Sequence, residues 1–217
     1  MEHPVIGEII WQGPSTGDQQ AWQIEVLASL LNAGPICQHA AQYIMDNGVE
    51  FTFGQQLASG AAWTVAGNIQ LNSKNYSLKT ASTDDAWMLS LIVHEAKHLE
   101  QGAPFSGVPL SVEGELEAWQ TQYQAMVELA NNGIGTAPRR GTHFYNIGHL
   151  PSNPTDRDLR VARSEMIAHQ GGPLNYLVWV LPLRNEYRYK SVSVALIPGV
   201  GPLLVPVLQY YGVPWSK

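Results

Sequence analysis

Ala86-Trp87-Met88-Leu89-Ser90-Leu91-Ile92-Val93-His94-Glu95-Ala96-Lys97-His98 is the stretch on which the fold and chemistry of this chain turn. Its first eight residues are apolar on every side of a helix, which marks a buried helix and not a surface one. Ser82, with Asp85 three residues on, forms a capping-box start, and Gly102 and Pro104 stop the helix after about Gln101. His94 and His98 are four residues apart, so both imidazoles project from one helical face and can aim nitrogen at one ion. Zinc takes such nitrogen ligands at roughly 2.0–2.1 Å. Glu95 projects about 100° round from His94, beside the ion instead of on it, where a carboxylate can take a proton from water.

A catalytic zinc needs a third protein ligand. The chain contains a single cysteine, Cys37, so neither a thiolate-rich site nor an internal disulfide is possible, and the third ligand must be histidine or carboxylate. A histidine at the HExxHxxGxxH spacing is absent, because Gln101 and Pro104 occupy the required Gly and His positions. The following helix, about 112–131 with Ser111 as its cap, offers Glu113, Glu115 and Glu117. Its apolar stripe is Leu116, Trp119, Tyr123, Met126 and Ala130. At about 100° per residue, Glu115 lies about 50° from the centre of that stripe, Glu113 about 110° and Glu117 about 150°. Glu115 is therefore the expected third ligand, with Glu113 second. Glu113 is accounted for by the positive end of the helix dipole and Glu117 by solvent. Gly114 lets the two helices approach closely.

The remaining elements frame this pair. Residues 18–33 read as a helix from the three- and four-residue spacing of Trp22, Val26 and Leu30 and of Ile24, Leu27 and Leu31, stopped by Gly34-Pro35. A second helix spans about 36–46. Val49 to Phe53 and Trp63 to Asn72 read as strands, the latter kinked at Gly67-Asn68. Residues 133–154 form a Gly/Pro-rich connector, and Thr155 starts a helix to about His169, closed by Gly171-Gly172-Pro173. Tyr176 to Leu181 reads as a buried strand. Ser191 to Tyr211 is strongly apolar, but Pro198, Pro202 and Pro206 would break a membrane-spanning helix.

The 217 residues are expected to form one domain, with a core at about 18–132 and residues 133–217 as a C-terminal extension packed on it. With 45% hydrophobic and 14% charged residues, the chain has material for a real core. A net charge of −6, with no basic run longer than Arg139-Arg140, argues against a nucleic-acid partner. Met1-Glu2-His3-Pro4 begins neither a basic nor an apolar leader, which with the lone cysteine fits a reducing, cytoplasmic setting.

His94-Glu95-Ala96-Lys97-His98 followed by Glu115-Leu116-Glu117-Ala118 resembles the gluzincin group of zinc metallopeptidases, which pair HExxH with a glutamate on a later helix. It is particularly similar to members whose second motif reads Glu-x-x-Ala-Asp, among them the CAAX-prenyl and heat-shock membrane peptidases. The resemblance covers about residues 60–130. It implies His94, His98 and Glu115 as zinc ligands, Glu95 as general base, and the strand from Gly67 to Asn72 as the sheet edge along which a peptide substrate lies. Trp119 stands where that motif has Asp, Lys97 and Glu100 put charge where the extended signature is uncharged or apolar, and the membrane helices of that family are absent. The expectation is thus an α+β fold of minimal zincin type, with a buried HExxH helix, a glutamate helix and a small sheet.

The reaction expected of it is hydrolysis of a peptide or protein substrate by a zinc-activated water. Two other readings are a non-catalytic metal-binding or interaction protein on the same skeleton, and a metal-dependent hydrolase of another amide. His143, Tyr145 and His149 are candidate donors to an oxyanion. His3, His39 and His169 stand alone and read as structural, and Cys37 as a small buried apolar residue.

Overall fold

A computed structural model describes residues 17–54, 62–65, 67–102 and 112–169. The fold is mixed α+β: α1 (Gly17–Ala33), α2 (Pro35–Asp46), β1 (Phe51–Gly54), β2 (Ala62–Val65), β3 (Asn68–Asn72), α3 (Ala86–Glu100), α4 (Val112–Asn131), α5 (His143–Gly148) and α6 (Asp156–His169). Expectations for Ser111, Pro104, His3, the Gly171-Gly172-Pro173 stop and the segments from Tyr176 onward lie outside the described residues.

The predicted stripe of α1 is buried at Trp22, Val26, Leu27 and Leu30. The same face carries Gln23, whose amide donates to the Val49 carbonyl at 2.9 Å and accepts from the Phe51 N–H at 3.2 Å. A buried amide with both ends satisfied fixes where β1 starts on α1. The three strands are ordered β1-β3-β2, with β1 parallel and β2 antiparallel to β3.

Two expectations about the sheet are corrected. The kinked strand from Trp63 to Asn72 is two strands, because Gly67, with φ 84°, lets the chain reverse so that Val65 pairs with Asn68. The segment Gly67 to Asn72 is accordingly not the sheet edge. β3 is bonded on both sides, and among the described residues the outer antiparallel strand is β2.

Phe51, Ile69 and Leu71 join one core cluster with Met88, Leu89, Ile92 and Val93 of α3, which thus packs on the sheet. Asp85, not Ser82, caps α3: its carboxylate accepts from the N–H groups of Trp87 and Met88 at 3.0 and 3.1 Å, while Ser82 Oγ accepts from Asp84. Trp87 departs from the all-round burial expected of this half-helix, being 37% exposed, and packs edge-on against Phe144. The connector also departs from expectation, since it contains α5, capped by the Thr142 hydroxyl. Phe144 and Ile147 of α5 join Leu116 and Trp119 of α4 and Ala162 and Met166 of α6 in a second cluster. No helix among the described residues is long and apolar enough to cross a membrane.

Candidate metal centre

Six buried apolar side chains precede the motif on α3, and the burial continues through it, so His94 and His98 are only 6% and 8% exposed. Their Nε2 atoms stand 3.0 Å apart, with the ring planes at 81°. From α4, Glu115 brings Oε2 to 3.1 Å from His98 Nε2 and Oε1 to 3.7 Å from His94 Nε2. Four ligands at roughly 2.05 Å around a tetrahedral ion are about 3.3 Å from one another. The His94–His98 and His98–Oε2 separations fall just short of that figure, and with one donor atom taken from each residue all three lie within 4.8 Å of one another, so this donor set fits a zinc-sized ion by type and approximately by spacing. Among the described residues it is the one His/Cys/Asp/Glu group that does.

Electrostatics reinforce the convergence. Burial opposes charge on His98, but the hydrogen bond and charge of Glu115, with Glu95 and Gln101 adding to them, carry its pKa up to about 9. His94 is pushed down to about 4, first by burial and then by the neighbouring His98 charge. Glu115 overcomes its own burial through His98, His94 and Trp119 and falls to about 2. Glu95 is also buried, at 6% exposure, close enough to His98 for its charge to matter.

The backs of the ligands are held by neutral groups. His98 Nδ1 meets Gln101 Oε1 at 3.1 Å, and the Gln101 amide nitrogen donates to the Gly114 carbonyl and to Glu117 Oε2 at 3.0 and 2.9 Å. Trp119 Nε1–H donates to Glu115 Oε1 at 2.9 Å. It occupies the motif position at which the resemblance has an aspartate. His94 Nδ1 lies toward the Gln122 side chain and the Ala118 backbone without reaching good hydrogen-bond geometry with either. Gln122 in turn donates to Ser90 Oγ at 3.3 Å inside the α3–α4 interface.

Glu117 turns outward, as helical phasing requires, and binds Lys97 Nζ at 3.0 Å as well as Gln101. The side chain of Glu113 lies outside the described residues. His143 pairs with Glu165, His149 accepts or donates to the Tyr123 hydroxyl at 3.2 Å, and Tyr145 stacks on His149. His39 pairs with Glu100. His169, read as standing alone, lies edge-on to Trp119 at 5.2 Å, and Trp119 lies edge-on to His94 at 5.6 Å. Cys37 is fully buried, and burial followed by the nearby Glu128 charge pushes its thiol far up. Sequence reasoning missed Gln101 and Trp119 as supports. The signal was there, since Gln101 follows His98 by three residues and Trp119 follows Glu115 by four, each on the same helical face.

Compared with known proteins, the chain matches no family model, no curated protein and no solved structure.

Proposed function

We propose that this protein is a zinc-dependent peptidase whose centre is His94, His98 and Glu115, with Glu95 as general base. The observation that carries the reading is the meeting of three ligand side chains from two helices within 4.8 Å of one another, with a further buried carboxylate one residue along. A structural zinc site has no use for that extra carboxylate, whereas hydrolysis needs one. Zinc held by these side chains would polarise the scissile carbonyl and make hydroxide available from water near neutral pH.

Glu95 accepts the proton that the attacking water loses and returns it to the departing amine. His94 and His98, fixed by α3, and Glu115, fixed by α4, keep the reacting groups in register without rearrangement. The outer strand β2, antiparallel to its neighbour and packed against α3, replaces β3 as the place where an extended peptide would add its backbone.

The test is metal analysis of purified protein, followed by Glu95→Gln. Zinc should be present at one per chain and remain in the variant, while hydrolysis of a general protein substrate falls by about 10²–10⁴-fold. Zinc binding without hydrolysis in the unaltered protein would favour the non-catalytic reading.

A further inference from the structure

The metal centre bridges two helices, and the groups that orient its ligands bridge them as well. Gln101 ends α3 and Gly114 lies in the first turn of α4, beside Glu115. The two ends of a glutamine amide differ in chemistry, and here the surroundings decide which end is which. One end faces two pure acceptors, the Gly114 carbonyl and the Glu117 carboxylate, so it is the NH2 group. Oε1 must then face His98 Nδ1 and accept a proton from it. That leaves Nε2 of His98 directed at Glu115 and His94, where an ion would sit.

Trp119 acts on the other helix. An indole N–H can only donate, and this one engages Oε1 of Glu115, while Oε2 is the oxygen nearest His98. The ring itself is buried, edge-on to His94 and Phe144, so it has no freedom to swing away.

We infer that Gln101 and Trp119 are positioning residues: Gln101 fixes the tautomer of His98 and ties the two ligand helices together, and Trp119 restricts Glu115 to one ligating oxygen. The inference rests on the metal reading above. It also accounts for the residue at 119, because an indole in place of a carboxylate holds the ligand without adding negative charge. A divalent ion then faces one carboxylate and two imidazoles whose basicity no hydrogen-bonded carboxylate at Gln101 or Trp119 raises.

Zinc affinity, measured by competition with a chromophoric chelator, separates the outcomes. Gln101→Met keeps the length of the side chain but loses the acceptor, and Trp119→Phe keeps the ring but loses the donor. Each should weaken zinc about 10- to 100-fold. Gln101→Glu combined with Glu117→Gln restores an acceptor at His98 Nδ1 and a donor–acceptor pair between the helices, and should recover affinity to wild-type level or tighter. A second readout needs no variant: nitrogen-15 NMR of the zinc-loaded wild-type protein should show His98 protonated at Nδ1 and ligated through Nε2. Wild-type affinity in both single variants, or ligation through Nδ1, overturns the inference while leaving the metal site intact. A wild-type protein that takes up no zinc overturns both.

Discussion

Nε2 of His94 and Nε2 of His98 lie 3.0 Å apart, with Glu115 Oε2 3.1 Å from His98, too close for two lone pairs to face each other unless one imidazole carries a proton or an ion lies between them. With His98 raised to about 9 and His94 lowered to about 4, that proton belongs to His98 across the neutral range. An ion entering the site must expel it. Zinc uptake should therefore release about one proton, and zinc affinity should rise about tenfold per pH unit between roughly pH 5 and 8. Calorimetric titration in buffers of different ionisation enthalpy counts the proton. A count of zero would mean that His98 is already neutral before the metal arrives.

Glu115 and Glu117 are two residues apart and face opposite ways. Glu115 meets both histidines, while Glu117, with a side chain 53% exposed, meets Lys97 and Gln101. Glu115→Ala should cost more than about a hundredfold in zinc affinity, since it removes a ligand and not merely a support. Glu117→Ala removes only one of the two acceptors that pin Gln101, and should cost less than about tenfold. Equal losses in a chelator competition would show that α4 presents the wrong face.

Much of this arrangement was legible because it is helical. Four-residue spacing places His98 under His94, and about 100° per residue separates Glu115 from Glu117 whatever the rest of the chain does. The helices at 17–33, 35–46, 86–100, 112–131 and 156–169 were legible too, from apolar periodicity at 17–33 and 112–131, from an all-round apolar run at 86–93, and from start or stop residues at the others. Sheet topology was not. Gly67 marked a break, but a bulge and a reversal share that glycine, and only strand pairing distinguishes them. Once the chain reverses there, β3 becomes central, and among the described residues β2 is the outer antiparallel strand. The short helix α5 was hidden because one and a half turns carry too few residues to show a period, and its cap, Thr142, is unremarkable among polar neighbours.

Long-range caps were equally beyond a local reading. Helix α2 begins at Gly34-Pro35 with no side chain of its own to cap it, and the carboxylate of Glu128, on α4, accepts from the N–H groups of Ile36 and Cys37 at 3.0 and 2.9 Å. A Cβ at Gly34 would meet that carboxyl group at 2.6 Å, so the glycine makes room for the cap. Glu128→Ala should destabilise the fold by about 1–2 kcal/mol in urea denaturation, the cost of losing a helix cap. Zinc affinity should be unchanged, because α2 supplies no ligand. A large loss of zinc binding would instead mean that this cap holds α4 in place against α3.

The proton on His98 also links metal occupancy to stability. In the metal-free protein its folded pKa, about 9, lies above the ordinary value of 6.5. A group raised in this way stabilises the fold fully below pH 6.5, and the contribution fades as pH climbs through 9. His94, lowered to about 4, is neutral in the folded chain throughout that window, and once its unfolded form has lost its proton, about a unit above pH 6.5, it adds nothing to the slope. The zinc-loaded protein has no such proton to lose. Thermal denaturation with chelator and with zinc should therefore give two melting curves whose separation grows from pH 6.5 to 9, the metal-free form falling while the loaded form holds. A separation independent of pH would show that His98 does not carry the proton that the geometry assigns to it, and that the ion enters a site already vacant.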